Sequence, residues 1–394
     1  MSEGSLRPEH IGPLDGIRGL AILLVLTVHL HWLGFGWIGV QLFFVLSGFL
    51  ITRILLRTAT QLRFRSYLAD FYVRRVLRIF PLYFGYIAIT AIAAYVLTGH
   101  TTAELPYVLT FTRNLFKLVS DAQMPAGQDA ALLYGHFWSL CVEEHFYLFW
   151  PLLIFLLRRH VAKLVVALIL LGPVIRAATA ILWPSMPHGA YELSGADVVY
   201  LLSTSHIDAF ATGAALCLLP AIPKRWHGAA IAAFVVALLA AVVLGWLANH
   251  GGLAPIAPGR PARHLGFPEP MPNAAQYVWG YSLLNLLGAG LLWLGISVEG
   301  FRRVFTQPWL TYTGRISYGM YVLHFPLLML PIHLTPWLRA SIGSDWLAAL
   351  TCQIAYVALV YLLASISFRW YESPFLRLKS RWKPGALKPA EAVA

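Results

Sequence analysis

The residues with the greatest chemical reach in this 394-residue chain are an arginine and a histidine within one long apolar stretch, Arg18 and His29. Eleven helical steps turn about 1100°, or three turns plus about 20°, and rise about 16 Å. Both side chains would therefore share one helix face, Arg18 near one end and His29 towards the other. An imidazole, with an unperturbed pKa of about 6.5, can take a proton from a hydroxyl nucleophile. The competing assignment is structural, with Arg18 as an interfacial anchor and His29 as an interhelical hydrogen-bonder. Spacing alone favours the structural assignment.

A second group lies in His136-Phe-Trp-Ser139-Leu-Cys-Val-Glu143-Glu144-His145. Ser139 and Glu143 are one helical turn apart on the same face. Adjacent carboxylates cannot share a face, so Glu143 and Glu144 need different partners. Glu143 can orient or charge-stabilise a catalytic histidine, or form an ion pair with a buried base such as Arg176. His206 and Asp208 fall in a sixth apolar segment, and His324 precedes Pro326 in a ninth. A proline there kinks the helix and frees backbone carbonyls, an arrangement tolerated where a cavity is lined. Arg74, Arg75 and Arg78 crowd the start of a third segment. Their guanidinium groups can grip phosphates bidentately or simply anchor a helix end.

These side chains must be held by elements that suit lipid. The chain is 59% hydrophobic and 12% charged, against roughly 25% charged residues in a soluble domain. A spanning helix needs about 20 apolar residues. Ten such segments are expected, near 14–33, 36–56, 77–98, 138–157, 162–182, 198–219, 228–248, 277–296, 310–331 and 346–368. The expected fold is an all-α transmembrane bundle of about ten helices, with the sixth and eighth segments the most polar. No internal repeat of the transporter kind is evident. The Arg-rich, aromatic connection 57–76 reads as a short helix lying at the interface. Connections 99–137 and 249–276 face the other side.

With ten spans, twenty-three Lys and Arg residues fall on the side of the termini and five on the other. That bias places both termini in the cytoplasm and accounts for the net charge of +12 without a nucleic-acid partner. Cys141, Cys217 and Cys352 all lie in apolar segments, with no metal-ligand spacing and no disulfide framework expected. Trp138, Trp150 and Trp183 read as interface-belt residues.

Together the motifs resemble those of the acyltransferase 3 family of bacterial membrane O-acyltransferases, from about Leu14 to Phe375. Leu14-Asp-Gly-Ile-Arg18-Gly-Leu-Ala21 through His29 is similar to the family's opening, and Gly39 to Leu50 to its second-helix signature. Arg75-Val-Leu-Arg78-Ile-Phe-Pro81 and Trp138-Ser139 through Glu144 are similar to its paired-arginine and Ser-to-Glu motifs. Asp208 to Gly213, Ile316-Ser-Tyr318 with His324-Phe-Pro326, and Glu372-Ser-Pro-Phe375 follow in order. His206 and His145 stand where the family more often has Arg and Gln.

The resemblance implies transfer of an acyl group, usually acetyl, from acyl-CoA to a hydroxyl of a carbohydrate or other acceptor. It makes residues 11–378 the transmembrane acyltransferase domain and 379–394 a basic, disordered cytoplasmic tail. The implied location is the bacterial inner membrane. Arg18, His29 and Glu143 become the catalytic candidates. Arg75, Arg78 and Arg18 become candidates for holding the donor, with Ser139, Asp208 and His324 in support. No metal or permanently bound cofactor is expected; acyl-CoA is a substrate. The esterase-like domain fused to some members is not expected here. Whether the acyl group passes directly or through an acyl-His29 is left open. A transporter or flippase for a glycan precursor or acyl group is the rival assignment.

Overall fold

The computed structural model describes residues 12–119, 133–183, 186–188, 191–250 and 264–382. All ten segments expected from hydropathy are helical. Eight are helices long and apolar enough to cross a membrane, and two are bent pairs that pass the same test together.

The helices that matter below are α1 (Gly12–His29), α2 (Ile38–Gln61), α3 (Phe64–Thr98), α4 (Trp138–Leu156) and α5 (Val161–Leu182). A bent pair follows, α6 (Gly195–Leu201) and α7 (Ile207–Ala215). Then come α8 (His227–His250) and α9 (Gln276–Ser297). A second bent pair is α10 (Pro308–Leu327) with α11 (Met329–Ile342). The chain closes with α12 (Asp345–Ile366) and α13 (Ser373–Arg381). Met186–His188 and Tyr191–Leu193 pair as a small antiparallel hairpin. The bends measure 75° in the first pair and 49° in the second. The second bend lies just past Pro326, where the missing N–H breaks the helical ladder.

Two of the helix crossings bring backbones especially close. A Cβ on Gly314 of α10 would lie 1.7 Å from the Asp15 carbonyl oxygen of α1, and one on Gly16 would lie 1.9 Å from that of Phe305. In the other crossing, a Cβ on Gly213 of α7 would lie 1.9 Å from the Val45 oxygen of α2, and one on Gly48 would lie 2.1 Å from that of Phe210. Lipid tails are as apolar as leucine, so packing at small residues, rather than the hydrophobic effect, holds membrane helices together. Outside this core the apolar side chains face away from protein. Val236 and Leu239 of α8 are 65% and 60% exposed, and Leu170 of α5 is 65% exposed.

Two expectations change. Residues 64–76 are not a separate interfacial helix. They are the first turns of α3, which runs 35 residues without interruption. Two of their aromatic residues, Tyr67 and Phe71, turn inward: Tyr67 is fully buried and its hydroxyl donates to the Pro151 carbonyl at 2.9 Å. Trp138 and Trp150 are buried as well, and Trp150 Nε1 donates to Thr52 Oγ1 at 2.7 Å, so neither belongs to an interfacial belt. Residues 383–394, most of the expected tail, lie outside the described residues, as do Arg7, Arg260 and Arg263.

Gly314→Ala should destabilise the bundle by about 1–3 kcal/mol, the usual cost of overpacking. Gly300→Ala, with nothing within 4 Å of the added methyl, should be neutral. Thermal unfolding of the detergent-purified protein compares the two; equal midpoints would disprove the close-contact argument.

Candidate active site

Two cavities occupy opposite ends of α1. The first, of about 340 Å³, takes Asp15 and Arg18 from α1, Ser47 and Arg53 from α2, and Arg75 and Arg78 from α3. Ser139, Glu143 and Tyr147 of α4, Ser317, Tyr318 and Tyr321 of α10, and Lys379 of α13 complete its polar lining. Five cations thus face two carboxylates, Asp15 and Glu143.

The carboxylates are engaged. Arg18 Nη1 donates to Asp15 Oδ1 at 3.0 Å, and Ser47 Oγ donates to Glu143 Oε1 at 2.5 Å. Arg53, Arg75, Arg78 and Lys379 have no carboxylate within 4 Å among the described residues. The Arg75 guanidinium instead lies over the rings of Tyr147, at 5.5 Å, and Phe71, at 5.8 Å, and its buried Nε has no hydrogen-bond partner. Arg74 points elsewhere and pairs with Asp70 at 2.7 Å.

The second cavity, of about 500 Å³, lies at the His29 end. Its walls combine His29, His136, the rings of Trp37, Trp138, Tyr200 and Phe325, and the charged Arg113, Asp197 and Glu269. Arg113 is a buried partner of Glu104, at 2.9 Å. Among the described residues only Val40 and Tyr321 line both cavities, so they stand between them.

Three histidines gather here. The His29 ring centroid lies 5.1 Å from that of His324, and the His324 centroid lies 5.2 Å from that of His136. Backbone carbonyls only accept, which sets two tautomers. His324 Nδ1 must donate to the Tyr321 carbonyl at 2.7 Å, leaving Nε2 as a bare acceptor. His136 Nε2 must donate to the Val322 carbonyl at 3.2 Å, leaving Nδ1 bare. Val322 is four residues before Pro326, so its carbonyl is the one that the proline deprives of a helical donor. Both bare nitrogens are buried and unpartnered. His29 is half-buried and has no hydrogen bond to any described residue. Among the described residues no three His, Cys, Asp or Glu side chains are placed to hold a metal ion.

Tyr321 ties the two ends together. Its hydroxyl donates to the His136 carbonyl at 2.7 Å and meets the Ser139 hydroxyl. Ser139 and Glu143 share a cavity, as their spacing implies. Glu143 does not reach His29, however; it faces the arginine end, whereas His29 packs on His324 and Phe325. Nor does Glu143 pair with Arg176. That arginine, fully buried, grips Asp208 bidentately at 2.8 and 2.9 Å and also donates to Ser282. Asp208 lines neither cavity and is a structural counter-ion. His206 accepts from Gln41 Nε2 and donates to the Tyr200 carbonyl, both at 3.0 Å. His136, Tyr321 and Lys379 were not singled out from spacing. The first two had a signal in the Ser-to-Glu and His-Phe-Pro motifs, and Lys379 had none.

An acyltransferase-domain family model matches residues 11–366. The chain belongs to this acyltransferase family. The acyltransferase chain is 28% identical to the peptidoglycan O-acetyltransferase OatA of Listeria monocytogenes, over 93% of its own length and 56% of the relative's. It is 22% identical to a putative O-acetyltransferase of Staphylococcus aureus, over 95% of its length and 59% of the relative's. A stretch of 157 residues, 36% of the chain and 24% of the relative, is 36% identical to the putative peptidoglycan O-acetyltransferase YrhL of Bacillus subtilis. The chain thus spans little more than half the length of the first two relatives. No solved structure matches it.

Because Asp208 is the carboxylate partner of buried Arg176, Asp208→Ala should cost about 3–5 kcal/mol by leaving a buried charge unpaired. The folded fraction should keep its donor affinity. A drop in affinity without loss of thermal stability would return Asp208 to the site.

Proposed function

We propose that this chain is an integral-membrane O-acyltransferase that moves an acyl group, acetyl in the first instance, from acyl-CoA to a hydroxyl of a carbohydrate. The observation that carries this reading is the division of labour along α1. A cavity rich in cations without carboxylate partners sits at the Arg18 end, and a histidine-bearing cavity sits at the other. Coenzyme A carries several phosphate charges at one end of a long flexible arm and its thioester at the other. Arg75, Arg78 and Arg18 would hold the phosphates. The pantetheine arm would pass Val40 and Tyr321 and bring the thioester to His29, a distance on the order of the 16 Å rise along α1.

In the second cavity the acceptor hydroxyl would give its proton to the free imidazole nitrogen of His29 as its oxygen attacks the thioester carbonyl. A C–O bond forms, the C–S bond breaks, and the departing thiolate takes up a proton to leave as the free thiol. Trp37, Trp138 and Tyr200 offer apolar faces for sugar rings. Asp197 and Glu269 supply charged groups for hydroxyls, a mixture suited to small-ligand recognition. The names of the relatives make a cell-wall glycan the first acceptor to try. The charge bias supports a reading in which the arginine cavity opens to the cytoplasm and the histidine cavity to the outer face of the cytoplasmic membrane.

His29→Ala should abolish transfer from labelled acetyl-CoA to cell-wall glycan in membranes, with the melting midpoint unchanged. Turnover retained in this variant would remove His29 from the chemistry. Arg75→Gln with Arg78→Gln should raise the KM for acyl-CoA at least tenfold, since charge-assisted hydrogen bonds contribute about 1.5–3 kcal/mol each. An unchanged KM would make both arginines anchors only. Membranes that transport a glycan precursor yet show no acyl transfer would favour a flippase.

A further inference from the structure

The cation cavity has one wall from beyond residue 366, where the family match ends. We infer that Lys379, on the C-terminal helix α13, is a phosphate-binding residue of the donor site; this rests on the acyl-CoA reading above. The fold takes specific measures to bring that helix into place. Between α12 and α13 the chain makes a π-helical stretch, Ser367–Glu372. Such stretches are rare in helices and frequent at functional sites.

Three contacts then fix α13. The buried Glu372 carboxylate accepts from Ser367 Oγ at 3.0 Å and rests on Gly319 of α10, where a Cβ would lie 3.0 Å from Glu372 Oε1. Tyr371 Oη donates to the Pro81 carbonyl of α3 at 2.9 Å. Arg74 Nη1 reaches the Lys379 carbonyl at 3.5 Å. The helix is thus seated on α3, which carries Arg75 and Arg78.

The side chain of Lys379 lines the same cavity as Arg18, Arg75 and Arg78, and has no carboxylate within 4 Å among the described residues. A cation tethered for its own sake would be stabilised by a carboxylate, as Arg74 is by Asp70. Gathering like charges without one is unfavourable until an anion arrives. The anion that suits the cluster is the phosphate end of the donor, and Lys379 supplies a point charge beside the guanidinium forks.

The test is CoA binding by the full-length chain in detergent, measured by titration calorimetry. Lys379→Gln should weaken binding about tenfold, the loss of one charge-assisted contact. Lys379→Arg should restore it to within about twofold, and Arg381→Gln, exposed on the same helix, should change nothing. Melting midpoints report whether each variant stays folded. Dephospho-CoA then names the phosphate. If Lys379→Gln weakens CoA but leaves the affinity for dephospho-CoA unchanged, the contact is the 3′-phosphate; if Lys379→Gln weakens both ligands equally, it is the pyrophosphate. Wild-type affinity in a folded Lys379→Gln, with Arg78→Gln impaired, would overturn this inference and leave the donor reading standing. A wild-type chain that does not bind CoA would overturn both.

Discussion

The backbone contact between α1 and α10 is the constraint on which the site depends. Gly314 lies against the Asp15 carbonyl, and Gly19 against that of Leu310, where a Cβ would be only 2.3 Å away. Side chains any larger would push the helices apart by the width of a methyl group or more. At this separation the His29 end of α1 meets His324 of α10, with ring centroids 5.1 Å apart, and Arg18 and Tyr321 line one cavity. The second crossing, of α7 on α2 at Gly48 and Gly213, fixes the far wall in the same way. It holds Ser47 where it can donate to Glu143. Cavities in a lipid-facing bundle persist because backbone contacts of this kind fix the spacing that side-chain packing must then fill.

Partnership separates structural charges from those available to a ligand. Arg113 and Arg176 are 2% and 0% exposed, and each is closed by a carboxylate, Glu104 and Asp208. Arg75, Arg78 and Lys379 are not. Burial alone would have ranked Arg176 first, since an ionised group deep in a bundle is a functional hypothesis by default. Its bidentate grip on Asp208, supported by Ser282, removes that default. The same reasoning applies to histidine. His206 has both ring nitrogens satisfied, whereas His324 and His136 each keep one bare.

The helices were legible in the sequence because lipid demands long apolar runs, and the bend of α10 was legible because a proline cannot donate. Which polar side chains share a cavity was legible only within a single helix. Ser139 with Glu143, and Arg18 with His29, are questions of periodicity. The separation of Glu143 from His29 is a question of how α4 crosses α1, which periodicity does not encode. Lys379 shows the limit most clearly. In sequence it opens a basic tail, a place where charge is ordinary. It reaches the cavity because the helix that carries it, continued through a π-helical stretch, is seated on α3, and a six-residue run such as Ser-Phe-Arg-Trp-Tyr-Glu carries no mark of that packing.

Placing the cations and the histidines at opposite ends of one helix has a mechanical consequence. Under the proposed function, a donor held by its phosphates at the first end could react at the second only if its arm matched the intervening length. A shorter donor, or one gripped elsewhere, would stop at Tyr321. That residue stands between the two cavities with its hydroxyl committed to the His136 carbonyl and Ser139, so its ring cannot turn aside without giving up both bonds. The junction therefore favours a narrow, flexible chain over a bulky headgroup. Selection by arm length and cross-section requires no contact with the acyl group itself. On that proposal, the His29 cavity would be left free to be shaped for the acceptor.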